Sequence, residues 1–369
     1  MRQTGKTTLL RDSAATIIRF DQESNVLKFS RESEDILTRG PFPILLDEVQ
    51  KCPSAFDEVK AQVDQRKTPG RFLMTGSVRF SLKREIRESM TGRMITLELL
   101  PLGVAEAHRQ KLSNAFELIT AETDNEENIL ENLANRQWIT REKLEQHLKT
   151  GGLPGICFSR DPSVRAELME SHLDTLLGRD LYQLYQSQLS SARLRTLLQL
   201  LAKSAGHPIN RSQLARELST TSPTILAHLK AFEALFLIRP LDQGYYIEDQ
   251  GLCSHLCQFD RLTDLANLRR LVFSEVQQQL HYRFRSQAQL SSYTSTSGNS
   301  IPFVLKFSTG KTLAIILDEG DYPSNSSLKV ATWFQKKHGE KAICLILHLG
   351  KNGVVVKPRV LAMPHLWIF

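Results

Sequence analysis

The chain has 369 residues, of which 41% are hydrophobic and 24% charged, with 19 Gly and 14 Pro. This is the composition of folded globular domains, and at roughly 100–200 residues per domain it excludes both a collagen-like chain and a largely disordered one. Lys plus Arg number 47 against 40 Asp plus Glu, so the net charge of +7 permits contact with phosphates without demanding a nucleic-acid partner, and no apolar run approaches the ~20 residues of a membrane helix.

Met1–Phe20 is rich in Arg, Ser and Thr, and Asp12 is its one acid. Mitochondrial presequences share that look. The stretch reads better as a phosphate loop and the helix after it, with Lys6–Ala14 helical, and a cytoplasmic protein is expected. Further along, Val26–Phe29 reads as a strand and Ser33–Arg39 as a helix. Pro43–Leu46 is a buried strand running into two acids, and Ala55–Gln65 has helical spacing. Arg71–Thr75 is a second apolar strand, Leu82–Met90 a helix, and Met94–Leu99 a strand ending before Pro101. Short apolar strands alternating with helices predict a parallel sheet covered on both faces.

Four segments carry chemistry. Gly5-Lys6-Thr7-Thr8 has the GK[ST] end of a Walker A loop. In such a loop, backbone N–H groups and a helix N-terminus cradle phosphates. Lys6 neutralises the β and γ phosphates, the Thr7 hydroxyl ligates Mg²⁺, and Gly5 and Thr8 complete the cradle. Ile44–Glu48 is an apolar strand ending in adjacent acids, a Walker B pattern: Asp47 holds Mg²⁺ and Glu48 polarises the attacking water. Leu73–Ser77 is a strand ending in small polar residues, where Ser77 or Thr75 senses the γ-phosphate. Thr91-Gly92-Arg93 closes a helix, and Arg93 is the candidate arginine finger.

RQTGKTTLL, PILLDEVQKCP, PGRFLMTGS and TGRM, in that order, resemble the AAA-type ATPases of prokaryotes that carry a C-terminal domain of unknown function. Gly151–Pro154 resembles the Gly-Gly-Phe-Pro segment of that family, and Leu176–Leu181 its helix ending in Arg-Asp-Leu. The resemblance implies ATP and Mg²⁺ as ligands, and hydrolysis on a P-loop domain followed by a winged helix and a nuclease-like fold. In that family the loop reads Gly-x-Arg-Gln-x-Gly-Lys-Thr-Thr and is fed by a strand in the middle of the sheet. Here the strand and the first Gly would precede Met1. Either the true start lies upstream or the chain is a truncated product; a start at Met1 would expose two strand edges, with weak ATP binding and poor catalysis expected.

Beyond residue 110, Lys111–Thr150 holds five basic and eight acidic residues and reads as a solvated helical bridge. It contains the polar run Ala121–Asn128 and helical spacing from Ile129 onward. Val164–Tyr185 suits one long amphipathic helix. Arg195–Ser204 and Asn210–Leu218 read as helices, and a third starts at Thr221-Ser222-Pro223 with Ser222 as its N-cap. Phe236–Pro240 and Gly244–Ile247 would form a wing. Three helices and a hairpin suggest DNA reading through Thr224, His228 and Lys230. Leu197–Pro240 has only five basic and two acidic residues, which favours a structural or protein-docking module over a DNA reader.

In the last third, Leu271–Leu280 and Asn325–Lys336 read as helices. Tyr282–Arg285, Pro302–Phe307, Thr312–Leu317, Ala342–Leu347 and Val354–Val356 read as strands. The family's restriction-endonuclease layout needs an acid on the second strand and an acid-x-Lys on the third. The equivalent places fall near Ile301-Pro302 and Ile315–Asp318, so no nuclease activity is expected. Asp318 and Glu319 are a weak remnant, and Glu275 reads as a helix cap or a solvated acid. Five Cys, an odd number, indicate a reducing compartment, and Cys253, His255 and Cys257 read as packing rather than zinc ligands.

The expected architecture is α/β: a P-loop NTPase parallel sheet lacking its first strand (1–110), a helical connector (111–190), a winged-helix-like domain (191–250) and an α/β nuclease-like domain (251–369). The expected function couples Mg-ATP binding and hydrolysis to movement of the C-terminal domains. The alternative is an inactive, truncated ATPase that binds DNA or protein. ATP, DNA and a protein client are the partners considered, a membrane is not, and an arginine acting between subunits would require an oligomer.

Overall fold

A computed structural model describes residues 2–79, 90–121, 125–257, 265–295 and 298–369. The chain divides into two compact units. The first comprises Met1–Leu100, Asp174–Ser187 and Leu226–Leu237, and the second comprises the rest. Among the described residues, no helix is long and apolar enough to cross a membrane.

The first unit is built on a three-stranded parallel sheet of order β1-β2-β3, formed by Thr16–Arg19, Ile44–Asp47 and Phe72–Met74. The central strand β2 is buried along its whole length, as a parallel strand covered on both faces must be. Helices α1 (Lys6–Arg11), α2 (Glu23–Arg39) and α3 (Ser54–Gln65) accompany the sheet. The core gathers Phe20, Phe29, Leu37, Ile44, Leu46, Val49, Phe56 and Val59.

The predicted elements need correction here at three points. Val26–Phe29 is not a strand but lies inside α2. Val26, Phe29, Ile36 and Leu37 all reach the core, and at 100° per residue they share one helical face. The strand that pairs with β2 is instead Thr16–Arg19, in register Ile17↔Leu45 and Arg19↔Asp47. Met94–Leu99 forms no strand among the described residues, and Ile95 and Leu97 stay 89% and 79% exposed. The predicted helix Leu82–Met90 lies outside the described residues except for Met90, as do residues 122–124 of the polar run.

The second unit carries a six-stranded sheet of order β10-β11-β9-β8-β7-β6. Its strands are β6 (Ala288–Thr294), β7 (Ser300–Phe307), β8 (Thr312–Leu317), β9 (Ala342–His348), β10 (Val354–Lys357) and β11 (Val360–Pro364). The two-stranded hairpin of β4 (Ile238–Leu241) and β5 (Gly244–Ile247) lies earlier in the chain. β6, β7 and β8 pair antiparallel, whereas β8, β9 and β11 run parallel. Alternation along β8 sends Leu313 and Ile315 into one core, which contains Leu271, Val276 and Leu345, and Ala314 and Ile316 into another, which contains Phe334 and Ile346.

Tyr282–Arg285, read as a strand, is instead helical: Gln279–Phe284 is a π-helical turn that buries Leu280 and Phe284. The strands β6 and β11 were not foreseen. Helices Ser191–Ser204, Arg211–Glu217 and Ser222–Ala234 precede the β4–β5 hairpin in the predicted order. Asn210 caps the second through Ser212 N and Gln213 N. The third is capped by Thr221, whose Oγ1 accepts from Thr224 N, rather than by Ser222. The helix predicted over Val164–Tyr185 comprises Pro162–Asp174, a π-helical turn Thr175–Asp180 and Leu181–Leu184.

The two glycines of Gly151–Pro154 are required by packing. Gly151 has φ +67°, in the left-handed region that favours glycine. Gly152 N donates to Asp249 Oδ2 at 2.7 Å, and Gly152 O accepts from Leu102 N at 2.8 Å. Leu252 N donates to Asp249 Oδ1 at 2.8 Å, so one buried carboxylate joins the glycine pair to the start of the helix Gln250–Cys257. A Cβ on Gly152 would stand 2.1 Å from Leu102 O. Because that neighbour is backbone, Gly152→Ala should destabilise the second unit by about 1–3 kcal/mol. A melting temperature equal to that of the wild type would contradict this close approach.

Glu275 is neither a cap nor solvated. It is buried on the helix Leu265–Gln278, and its Oε1 accepts from Gln279 Nε2 at 2.7 Å. Burial pushes its carboxyl up to about 7; Gln279 and Arg283 oppose the shift and Glu106 adds to it. The folded chain therefore keeps this proton to a higher pH than the unfolded chain does. The group costs nothing below about pH 4.5, and its cost grows as pH rises towards about 7. Above that window Glu275→Gln should be the more stable chain by on the order of 3 kcal/mol, and the two should converge in acid. Denaturant titrations at several pH values would show this, and a gap that does not close in acid would count against it.

Candidate functional site

The first unit gathers a polar cluster at the carboxyl ends of its parallel strands, where open α/β sheets bind ligands. Gly5 takes φ 88° and ψ 14° as the N-cap of α1, a left-handed conformation that glycine adopts without strain. Lys6 and Thr7 then open the helix. The Thr7 hydroxyl lies 2.8 and 3.0 Å from the two carboxylate oxygens of Asp47. Parallel pairing sets Asp47 at the end of β2, beside Arg19 of β1, whose Nε lies 3.9 Å from Asp47 Oδ2. Just past β3, the Thr75 hydroxyl donates to Asp47 Oδ1 and accepts from Glu48 N at 3.2 Å.

Lys6 faces both acids. Burial lowers the pKa of its ammonium, and the attraction of Glu48 and Asp47 works against that shift. Glu48 has φ 56° and ψ 43°, a left-handed conformation that is costly for a residue with a side chain. Its Oε2 accepts from Gln50 Nε2 at 2.5 Å and from the Ser77 hydroxyl at 3.2 Å. A loop lysine, a hydroxyl and two carboxylates thus converge from α1, β2 and the turn after β3. Such a group can neutralise phosphate, supply oxygen ligands to a hard cation and take a proton from water.

Of the residues expected from the sequence, Gly5, Lys6, Thr7, Asp47, Glu48 and Ser77 come together. Thr8 is exposed. Arg93 is held elsewhere: its Nε and Nη2 donate to Asp64 Oδ1 and Oδ2 at 2.6 and 3.1 Å, at the end of α3. To act as a finger it would have to leave that bidentate pair. The sequence reading missed Gln50, which a single 3₁₀ turn, Val49–Lys51, folds back towards Glu48. It also missed Arg2, whose Nη1 donates to Asp180 Oδ2 at 3.1 Å. The only signal for Asp180 was its Arg-Asp-Leu setting.

Elsewhere the expected contacts change character. His228 is fully buried, and its Nε2 lies 2.8 Å from the Ser187 hydroxyl, so it is not offered to DNA. Asp318 is not a vestigial metal ligand but an anchor for the start of the helix Asn325–His338, since it accepts from Ser324 N and Ser327 Oγ at 2.7 Å and from Gly320 N at 3.1 Å. Burial alone would raise its carboxyl, and these bonds hold it below its ordinary value. Glu319 is exposed. Cys253 is buried, and burial pushes its thiol up to about 12.

Comparison with known proteins agrees with this geometry at the N-terminus. Residues 1–108 match the model of an AAA domain, and residues 141–250 match a domain of unknown function, DUF8612. An uncharacterized protein of Mycobacterium tuberculosis and one of Mycobacterium bovis are each 27% identical over 335 residues, spanning 83% of this chain and 68% of theirs. A Walker-type ATPase of Pyrococcus abyssi aligns with a TM-score of 0.42 and 16% identity, over 69% of this chain and 89% of that one. With the Gly5–Thr8 loop, the acids after β2 and the parallel sheet in place, residues 1–108 are similar to an AAA domain of the P-loop kind.

Proposed function

We propose that the first unit binds Mg-ATP and hydrolyses it, and that the cycle is coupled to movement of the segments that follow. The observation that carries this reading is the Thr7–Asp47 hydrogen bond, with the half-buried Lys6 under the electrostatic influence of Glu48 and Asp47. It joins the phosphate loop to the acidic strand end, as a shared phosphate and metal site requires. The donor set fits a hard divalent cation: Thr7 and Asp47 would hold Mg²⁺ by oxygen, and the bound ion would supply charge neutralisation at the phosphates.

The roles of the chain's own groups follow. Gly5 opens the loop so that backbone N–H groups face the phosphates, and Lys6 sets its ammonium against the β and γ oxygens. Glu48 accepts the proton of the attacking water as the new O–P bond forms. The bridging P–O bond then breaks, and ADP and inorganic phosphate leave. Ser77 and Thr75, at the strand end beside both acids, are the candidates for sensing the γ-phosphate. Arg2 belongs to the loop and pairs with Asp180, so occupancy of the loop is poised to be felt in the turn Thr175–Asp180.

The test is calorimetric titration of the folded chain with ATP, with Mg²⁺ and with EDTA, beside a phosphate-release assay. Saturable, Mg²⁺-dependent binding with turnover is expected. A folded chain that neither binds nor turns over ATP would overturn the proposal and favour a non-catalytic module.

A further inference from the structure

The Glu48 carboxylate is held by a closed ring of side chains. Gln50 Nε2 donates to Glu48 Oε2 at 2.5 Å and to Ser77 Oγ at 3.0 Å, and Ser77 Oγ donates to the same Glu48 Oε2 at 3.2 Å. A carboxylate cannot donate to a carbonyl oxygen, so the Gln50 amide is fixed with its NH₂ towards Glu48. Among the described residues, that orientation leaves Gln50 Oε1 buried without a hydrogen-bond partner. An unsatisfied buried acceptor costs about 1–3 kcal/mol. The same turn also bears the left-handed backbone of Glu48. Two local costs therefore fall on three successive residues, and the geometry they maintain is the aim of one carboxylate.

We propose that Gln50 is a positioning residue for Glu48. By tying Oε2 to the amide and to Ser77, it presents Oε1 to the attacking water and keeps the carboxylate from collapsing onto Lys6. Gln50 needs no contact with nucleotide for this role. The proposal rests on Glu48 being the base for ATP hydrolysis.

The comparison is of kcat and Mg-ATP Kd for the wild type, Gln50→Leu, Glu48→Gln and the double variant. Gln50→Leu should lower kcat by roughly 10–100-fold, the range expected when a group that orients a reactive side chain is removed, with Kd unchanged. In the Glu48→Gln background it should cost nothing more, because the group it positions is already gone. Gln50→Met, which keeps the side-chain length without the donor, should match Gln50→Leu. Should Gln50→Leu fail to fold, Gln50→Met carries the same comparison in both backgrounds. A wild-type kcat in Gln50→Leu, or an equal loss in both backgrounds, overturns the positioning role while leaving the ATPase reading intact. A wild-type chain that binds no Mg-ATP and has no turnover removes the ATPase reading itself, and this role with it.

Discussion

Glu48→Gln is expected to stop ATP turnover while Mg-ATP still binds. The substitution keeps the shape of the side chain, and an amide carbonyl can still accept from Gln50 Nε2 and from the Ser77 hydroxyl. The strained turn therefore has every reason to persist. What disappears is the capacity to take a proton from water. Losing a general base lowers rates by roughly 10²–10⁴-fold, and the loss should fall on kcat. In the proposed site phosphate binding rests on Lys6 and the loop, and the metal on Thr7 and Asp47, so the Kd for Mg-ATP should hold or tighten slightly as one negative charge leaves the site. Residual turnover near that of the wild type would mean that the base lies elsewhere.

Lys6→Ala should have the larger effect on binding. The Lys6 ammonium is half-buried and under the electrostatic pull of Glu48 and Asp47. Without it, two carboxylates would face a triphosphate with Arg19 and Arg2 as the nearby cations that the described residues supply. Truncating one partner of a desolvated charge pair costs about 2–5 kcal/mol, roughly 30- to 4,000-fold in Kd. Calorimetry should therefore show no saturable Mg-ATP binding at concentrations that fill the wild-type site. Circular dichroism would establish that the variant is folded, since its own acids lose a neighbour as well. Unaltered affinity would place the phosphates away from α1.

Much of the site was legible in the sequence because its signals are local. Gly5-Lys6-Thr7 and Leu46-Asp47-Glu48 each lie within a few residues, and their order along the chain fixes which strand end each must reach. What escaped was whatever depends on the return of the chain. Gln50 looked like one polar residue among several until the turn Val49–Lys51 folded it onto Glu48. Asp180 lies 178 positions from Arg2, and no spacing rule connects them. Among the elements, Thr16–Arg19 was given no element because four residues give too little alternation to mark a strand. Val26–Phe29 was misread for a related reason: two apolar residues three apart satisfy a short strand and a helix alike, and only Ile36 and Leu37 on the same face decide between them. At Tyr282–Arg285 an aromatic pair suggested β structure, whereas burial of Leu280 and Phe284 four apart favours the helical turn. Met94–Leu99 alternates as a strand should, but a strand is made by its partner, and among the described residues it has none.

The division of the first unit among three stretches of chain bears on the order in which the molecule is made. Asp180, which receives Arg2, and Glu233, which receives Arg79, emerge from the ribosome long after the loop and strands they complete. Contacts so distant in sequence are slow to close, so a nascent chain of the first hundred residues holds the catalytic letters without the ion pairs that brace them. Synthesis proceeds at roughly 5–20 residues per second, which leaves roughly 10–45 seconds between the appearance of Lys6 and that of Glu233. During that interval the unfinished unit depends on its own small core, and an early-folding segment bound by nucleotide or by a chaperone would be shielded through it. The loop and strands of the candidate site are thus made well before the acids that complete their ion pairs.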